Sequence, residues 1–390
     1  MSHQHHRSRP SGSGTALNEA YDTALLDLDG VVYAGGEAIA YAVEALAEAR
    51  AGGMHLAYVT NNALRTPDAV AEHLTELGVP AEPSDVITSA QAVARLVADQ
   101  LPPGARVLAI GGEGLRVALR ERGLVPVESA DDDPAAVVQG YGGPDMAWGR
   151  FAEASYAVRR GLPWFASNTD LTIPSARGIA PGNGAAVEVV RIATGAEPQV
   201  AGKPLPPMHR ETVLRTGAER PLVVGDRLDT DIEGAFNGGV DSLLVLTGVT
   251  DAGLLLAAPP QHRPTYVDRD LRGLLTGQPE VVAAGEGFRC GDWTAAVRGD
   301  RLVLETAGGD EDGATRSTAC GPSAPRPGRS PVRTDATWRR RRPSPGSASE
   351  TPRHPWSTSS STWPWRARAL GPGRPLASMP GARGATGRIG

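Results

Sequence analysis

Leu25-Leu26-Asp27-Leu28-Asp29-Gly30-Val31-Val32-Tyr33 is an apolar run interrupted by Asp-x-Asp-Gly. Side chains alternate along an extended segment, so two carboxylates one residue apart leave it on the same side. Gly30 lets the chain turn away sharply behind them. Asp-x-Asp alone also occurs in calcium loops and sugar-nucleotide transferases, and a strand-end Asp often serves only a turn or cap. Calcium loops, however, are polar and lack a preceding apolar strand such as Thr23–Leu26. The surroundings decide the fold. Thr23–Leu28, Leu56–Thr60, Val107–Ile110, Ala136–Val138, Leu222–Val224 and Leu243–Leu246 read as strands buried on both faces. Glu37–Arg50, Pro67–Leu77, Ala90–Asp99, Gly112–Glu121, Trp148–Arg160, Gly184–Ala193 and Pro206–Thr216 read as helices, with Pro67 and Pro206 suited to a first turn. This alternation predicts an α/β protein with a doubly wound, Rossmann-like parallel-sheet core and right-handed crossovers. Ligands of such sheets sit at the carboxyl ends of the strands.

Three further strand ends carry chemistry. Val59-Thr60-Asn61-Asn62 delivers a hydroxyl and two amides that could hydrogen-bond an anion, or cap the next helix. Gly202-Lys203-Pro204 holds the only lysine of the chain, whose Lys+Arg total is 39. Every other basic position is Arg, so this one calls for a compact ammonium where a planar guanidinium does not fit. Val224-Gly225-Asp226-Arg227-Leu228-Asp229-Thr230-Asp231 again ends an apolar strand in Gly-Asp, with more carboxylates behind. Hard oxygen ligands of this kind suit Mg²⁺. Grouped acids repel unless a cation joins them. A metal held by Asp, one Lys and neutral donors makes a phosphoryl site.

These four motifs, in this order, resemble the haloacid dehalogenase-like phosphatases of the large-cap branch. The likeness spans roughly residues 20–275. Within that branch Val86–Gln91, Pro181–Gly184 and Val224–Ile232 are most similar to the actinobacterial glycerol-3-phosphate phosphatases. The resemblance implies Asp27 as nucleophile and Asp29 as general acid and base. It implies Lys203 as the group that neutralises phosphate and Asp27, and Thr60 and the Asn61 amide as holders of the phosphoryl oxygens, with Asn62 beside them a further candidate for substrate binding. Mg²⁺ is implied at Asp27, Asp226, the backbone oxygen of Asp29 and, from further out, Asp231. It also implies a cap inserted between the Thr60 and Lys203 motifs, and the 142 residues between them are far too many for a loop. The cap is expected over 90–196, between core segments 20–89 and 197–280. Asn168, Thr169, Asp170 and Arg177, after a strand at Trp164–Ala166, are candidates for its entrance, and Asn183 in a Gly-rich turn for substrate contact. Glycerol 3-phosphate is the expected substrate. Pyridoxal phosphate, a nucleotide or phosphoglycolate are the alternatives, as is a catalytically silent phosphometabolite sensor.

Composition bounds the rest. A net charge of −5 argues against a dedicated nucleic-acid binder. Two cysteines cannot build a disulfide framework, which points to the cytoplasm. No apolar run approaches the roughly 18 residues a membrane span needs. Oligomeric state is not legible. Residues 1–19 read as a disordered arm, and 281–312 as a partial module with a hairpin of Phe288–Val297 and Leu302–Glu305 around Gly299-Asp300. The module of the similar phosphatases resembles an acetyltransferase fold.

The tail, 313–390, differs in kind. Residues 315–390 hold 14 Arg, no Lys, only Asp335 and Glu350 as acids, and four Trp. Disordered segments are normally poor in aromatics. A slipped reading frame explains this: joining each codon's last base to the next codon's first two, from Ala314 to Gly328, is compatible with the peptide DALDGLRALCAAAW. That is a capped, apolar-periodic helix. The alternative is a basic tail that touches nucleic acid or an acidic partner.

Overall fold

The computed structural model describes residues 12–175, 177–299 and 301–306. The N-terminal arm up to residue 11, Asp300, Cys320 and the tail lie outside them.

Six parallel strands form one sheet, in the spatial order Tyr266–Asp268, Asp241–Val245, Pro221–Gly225, Thr23–Leu26, His55–Thr60, Val86–Thr88. Counting these strands along the chain, the order is the doubly wound 3-2-1-4-5-6 arrangement. Its switch point lies between Thr23–Leu26 and Pro221–Gly225, where a crevice opens beyond the carboxyl ends. Asp27 and Asp226 are the first residues past those two ends. The expected strand Thr23–Leu28 therefore stops at Leu26, and the acids stand just outside the ladder.

The middles of the strands are apolar because both faces are covered. Ala24, Leu26, Leu56 and Tyr58 point into one core with Leu46, Leu74, Leu222 and Leu243. Leu25, Ala57 and Val59 point into the other with Ile87, Val93 and Met208. Fully burying one such Leu or Val contributes about 1.5–3 kcal/mol. The second core also takes Val107, Ala109, Val138 and Phe165. Those four belong to a second parallel sheet, of order Gln199–Val200, Trp164–Ala166, Ala136–Gln139, Arg106–Ile110, Val125–Val127. It is inserted between the third and fourth core strands, and its last strand reaches beyond residue 196.

Three local expectations change. The helix expected from Glu37 begins at Ala42, because Gly35 and Gly36 at positive φ close a small hairpin of Tyr33–Ala34 with Glu37–Ala38. Asn183 opens the helix Asn183–Thr194 rather than sitting in a turn. Phe288–Val297 is two strands, Gly287–Cys290 and Trp293–Arg298, folded back at Gly291 with φ 56°. A Gly-Asp pair between apolar runs is a hairpin signal. Among the described residues no helix is long and apolar enough to cross a membrane.

Candidate active site

Asp27 is pinned across the switch point, its N–H donating to the Val224 carbonyl at 2.9 Å. Lys203 reaches it from the loop that re-enters the core. Its Nζ donates to Asp27 Oδ1 at 2.6 Å, Asp231 Oδ1 at 2.8 Å and the Val59 carbonyl at 3.0 Å. An ammonium has three protons, and each has an acceptor. The loop itself is held by Asn61. Asn61 Oδ1 accepts from the Lys203 N–H at 2.8 Å, and Nδ2 donates to the Lys203 carbonyl at 3.2 Å and to the Asp170 carboxylate at 3.1 and 3.2 Å.

Asp226 is almost wholly buried. Its Oδ2 accepts from the Val249 N–H at 2.6 Å, whereas Oδ1 is buried with no hydrogen-bond partner. Gly30 makes room for it. At φ +83° a Cβ there would sit 2.6 Å from Asp226 Oδ2. Asp231 lies in a π-helical turn, Leu228–Ile232, and its Oδ2 accepts from the Arg227 N–H at 3.1 Å. Such turns occur often at functional sites.

The electrostatics follow from burying like charges together. Burial pushes the Asp226 carboxyl up to about 7, with the charges of Asp231 and Asp27 adding to it. Asp27 and Asp231 are raised by burial too, and Lys203 pulls both back. Burial works against the Lys203 charge, but Asp231 and Asp27 outweigh it and hold the ammonium protonated above the usual lysine range. Asp29 keeps one side open to solvent. The crowded wall around it raises its carboxyl, against the pull of Lys203 and Arg65.

One ligand atom from each of Asp27, Asp226 and Asp231 falls within 4.8 Å of the others. Three carboxylates face one lysine, and the orphaned Asp226 Oδ1 is an acceptor without a donor. This donor set fits a small hard dication, of which Mg²⁺ is the type that binds through few carboxylates. The Asp29 carboxylate stands outside the cluster.

The neutral candidates divide. Thr60 is buried at its strand end, and its Oγ1 accepts from the Asn62 N–H at 3.1 Å. Asn62 Oδ1 accepts from the N–H groups of Leu64 and Arg65 at 2.8 and 3.3 Å and so caps a turn. The Asn61 side chain is committed to Lys203 and Asp170, as above. Asn183 is buried behind the site, its Nδ2 donating to the Asn168 carbonyl at 2.7 Å. Asn168 Nδ2 in turn donates to the Asn61 carbonyl at 2.7 Å. Asn183, Asn168, Asp170 and Asn61 thus form a chain of contacts from the inserted segment to the lysine loop. Ser89, whose Oγ donates to the same Asn61 carbonyl at 2.6 Å, and the Val249 N–H were not singled out from sequence. Ser89 follows the Thr88 cap of a capping box, which masks its second role. A backbone N–H leaves no sequence signal.

The model of the haloacid dehalogenase-like hydrolase family matches residues 24–125, and an HAD-hydrolase-like model matches 200–274. The D-glycerol 3-phosphate phosphatase of Mycobacterium tuberculosis is 48% identical over 297 residues, covering 76% of this chain and 82% of the relative. The chain belongs to the haloacid dehalogenase-like hydrolases. Another member, the acid sugar phosphatase of Staphylococcus aureus, is 39% identical over 253 residues, or 64% of this chain and 95% of that one. Among solved structures of the family, a glycerol phosphate phosphatase from Mycobacterium tuberculosis in complex with magnesium superposes with a TM-score of 0.69 at 44% identity, over 75% of this chain and 87% of that one.

The site predicts how Mg²⁺ and protons compete. The folded-state Asp226 lies above its ordinary value of 3.8. Without metal, folding therefore takes up a proton, and stability falls as pH rises through the window from 3.8 to about 7. A cation that needs the ionised carboxylate relieves this penalty at the upper end. Mg²⁺ is expected to raise Tm clearly at about pH 7.5 and much less at about pH 5.5. Equal shifts in calorimetry at both would place the cation elsewhere.

Proposed function

We propose that this haloacid dehalogenase-like phosphatase hydrolyses glycerol 3-phosphate, through an aspartyl-phosphate on Asp27, in the cytoplasm and without a nucleic-acid partner. The observation that carries the chemistry is the contact of Lys203 Nζ with Asp27 Oδ1 at the switch point, beside Asp226 and Asp231. The 48% identity to a glycerol 3-phosphate phosphatase supports the substrate.

An Asp27 oxygen attacks phosphorus and the ester P–O bond breaks. The departing alkoxide takes the proton of the Asp29 carboxyl, whose raised pKa favours carrying one. Water then attacks phosphorus and gives a proton to the Asp29 carboxylate. The bond to Asp27 breaks, freeing its carboxylate and inorganic phosphate. Lys203, held protonated, offsets charge on Asp27 and on the phosphoryl oxygens. The Thr60 hydroxyl and the Asn61 backbone N–H orient those oxygens. Asn61, Asn62 and Asn183 act through their side chains mainly by fixing the loops. Asp27 and Asp226 would hold Mg²⁺, with the backbone oxygen of Asp29 and with Asp231 supporting from behind Lys203. When bound, the ion neutralises the acids and polarises the phosphoryl group. The segment 90–196 acts as a cap that shuts out bulk water and selects the leaving group, with Asn168 and Asp170 at its contact with the core.

The test is phosphate release from a panel of esters with and without Mg²⁺. Glycerol 3-phosphate is expected to give the highest kcat/KM, with release lost on chelation. A sugar phosphate, pyridoxal phosphate, a nucleotide or phosphoglycolate turning over faster would replace the substrate. No release from any ester would make the chain a sensor.

A further inference from the structure

We propose that the loop 247–250, which carries no acid and no lysine, is a working part of the metal site: Thr247 and Gly248 are positioning residues that decide which oxygen of Asp226 is left for Mg²⁺. This rests on the reading of Asp27 and Asp226 as the metal ligands. Asp27, Thr60 and Asp226 stand at the carboxyl ends of three core strands. A fourth strand, Asp241–Val245, lies beside the strand Pro221–Gly225 that leads to Asp226. Ligand-binding groups gather at this edge of a doubly wound sheet. The continuation of the fourth strand, Leu246-Thr247-Gly248-Val249-Thr250, passes Asp226 and reaches the turn that follows Asp29.

Four contacts fix this path. The Thr247 hydroxyl donates to the Gly30 carbonyl at 2.6 Å. The Val249 N–H donates to Asp226 Oδ2 at 2.6 Å, and the Thr250 N–H to the Asp226 carbonyl at 3.2 Å. Gly248 lies against the same carboxylate, where a Cβ would overlap Oδ2 and stand 2.6 Å from Cγ. Gly248 does not have the positive φ that otherwise calls for glycine, so close approach is its reason. Val249 is 59% exposed, so burial of its side chain does not explain the path either. Its N–H does. An ionised carboxylate has two acceptor oxygens. Asp226 Oδ2 is engaged by the loop, whereas Oδ1 is buried with no hydrogen-bond partner. A carboxylate free to turn would offer a cation either oxygen or both. Held by Val249, it offers one, and Mg²⁺, which demands a near-ideal octahedron, is better served by single oxygens than by a two-oxygen grip. Thr247 meanwhile fixes the Gly30 carbonyl, and with it the turn that carries the backbone oxygen of Asp29. A loop one strand away thus sets the spacing between ligands that come from two strand ends.

Mg²⁺ is titrated calorimetrically into the full, metal-free chain at about pH 7.5, and the metal-free Tm is measured beside it. Gly248→Ala is expected to raise the Mg²⁺ Kd about tenfold or more. Thr247→Val keeps the shape and loses the hydroxyl; it is expected to raise the Kd by a smaller factor, and Thr247→Ser to return it close to the wild-type value. The Mg²⁺ concentration that gives half-maximal phosphate release is expected to rise in step with the Kd. If Gly248→Ala folds poorly, seen as a fall in metal-free Tm, the pair Thr247→Val and Thr247→Ser decides. An unchanged Kd in the variants, with wild type binding the ion, overturns the role of the loop and leaves the metal ligands as read. A lower metal-free Tm with an unchanged Kd makes 247–250 a turn that serves only the fold, and overturns it likewise. Wild type that takes up no Mg²⁺ overturns the ligands themselves, and the role of the loop with them.

Discussion

Asp27→Asn is expected to lower phosphate release by roughly a thousandfold or more on every ester. An amide oxygen is a poor nucleophile, and an amide-linked phosphoryl group cannot form in its place. The substitution is nearly isosteric, so the site survives it. Asn Oδ1 can still accept from Lys203 Nζ, and that ammonium keeps its bonds to Asp231 and the Val59 carbonyl. Removing one of several mutually repelling buried carboxyls, whose burial raises it in the native protein, leaves stability equal or better. Loss of rate with an unchanged or higher Tm is therefore the signature. Asp29→Asn separates the second acid. Its effect is expected to be smaller for good leaving groups such as nitrophenolate, which need no proton, than for an alcohol such as glycerol. Asp27→Asn that hydrolyses glycerol 3-phosphate at the wild-type rate would remove the covalent intermediate from the mechanism. Equal losses across leaving groups in Asp29→Asn would remove its proton transfer.

The parts legible in the sequence are those where chemistry and fold coincide. Asp27 and Asp226 follow uninterrupted apolar runs, and parallel strands buried on both faces must be apolar. The acids therefore mark strand ends without any knowledge of which strand neighbours which. Lys203 stands out because arginine fills every other basic position. The Asn61 side chain has a further role that the sequence hides for a physical reason. Its amide after a strand looks like a ligand donor, yet a primary amide offers a donor and an acceptor at once. The structure uses both, against the Lys203 N–H and carbonyl, to bind a loop 142 positions away. Such pairing depends on tertiary approach and leaves no local pattern. The short strands Val125–Val127 and Gln199–Val200 escape for another reason. Each has too few residues for a period, and one contains Pro126 at a sheet edge, where proline is tolerated.

Lys203→Arg is expected to lower kcat/KM by at least about tenfold, the equivalent of roughly 1.4 kcal/mol of transition-state stabilisation, and Lys203→Met by more. Charge alone does not explain the position. Nζ meets three acceptors at 2.6, 2.8 and 3.0 Å from a single nitrogen. A guanidinium spreads its donors over a plane about two bonds wider, so it cannot reach Asp27, Asp231 and the Val59 carbonyl together. Its bulk would displace Asp27 from the line of attack. Lys203→Met adds a stability effect. It leaves Asp27 and Asp231 facing each other without their shared cation. Breaking a buried ion pair on one side commonly costs about 3–5 kcal/mol. Both carboxyls are already raised by burial, so they answer by taking up protons. That uptake relieves the repulsion at low pH and fails as pH rises through their folded-state values. The Tm of Lys203→Met is therefore expected to fall increasingly below wild type as pH rises from about 5 to about 8 in the absence of Mg²⁺. Addition of Mg²⁺ is expected to restore part of the stability but not the rate, since the ion takes over the charge and not the three-way contact. A variant with wild-type kcat/KM, or a Tm deficit independent of pH, would show that the lone lysine is incidental to both.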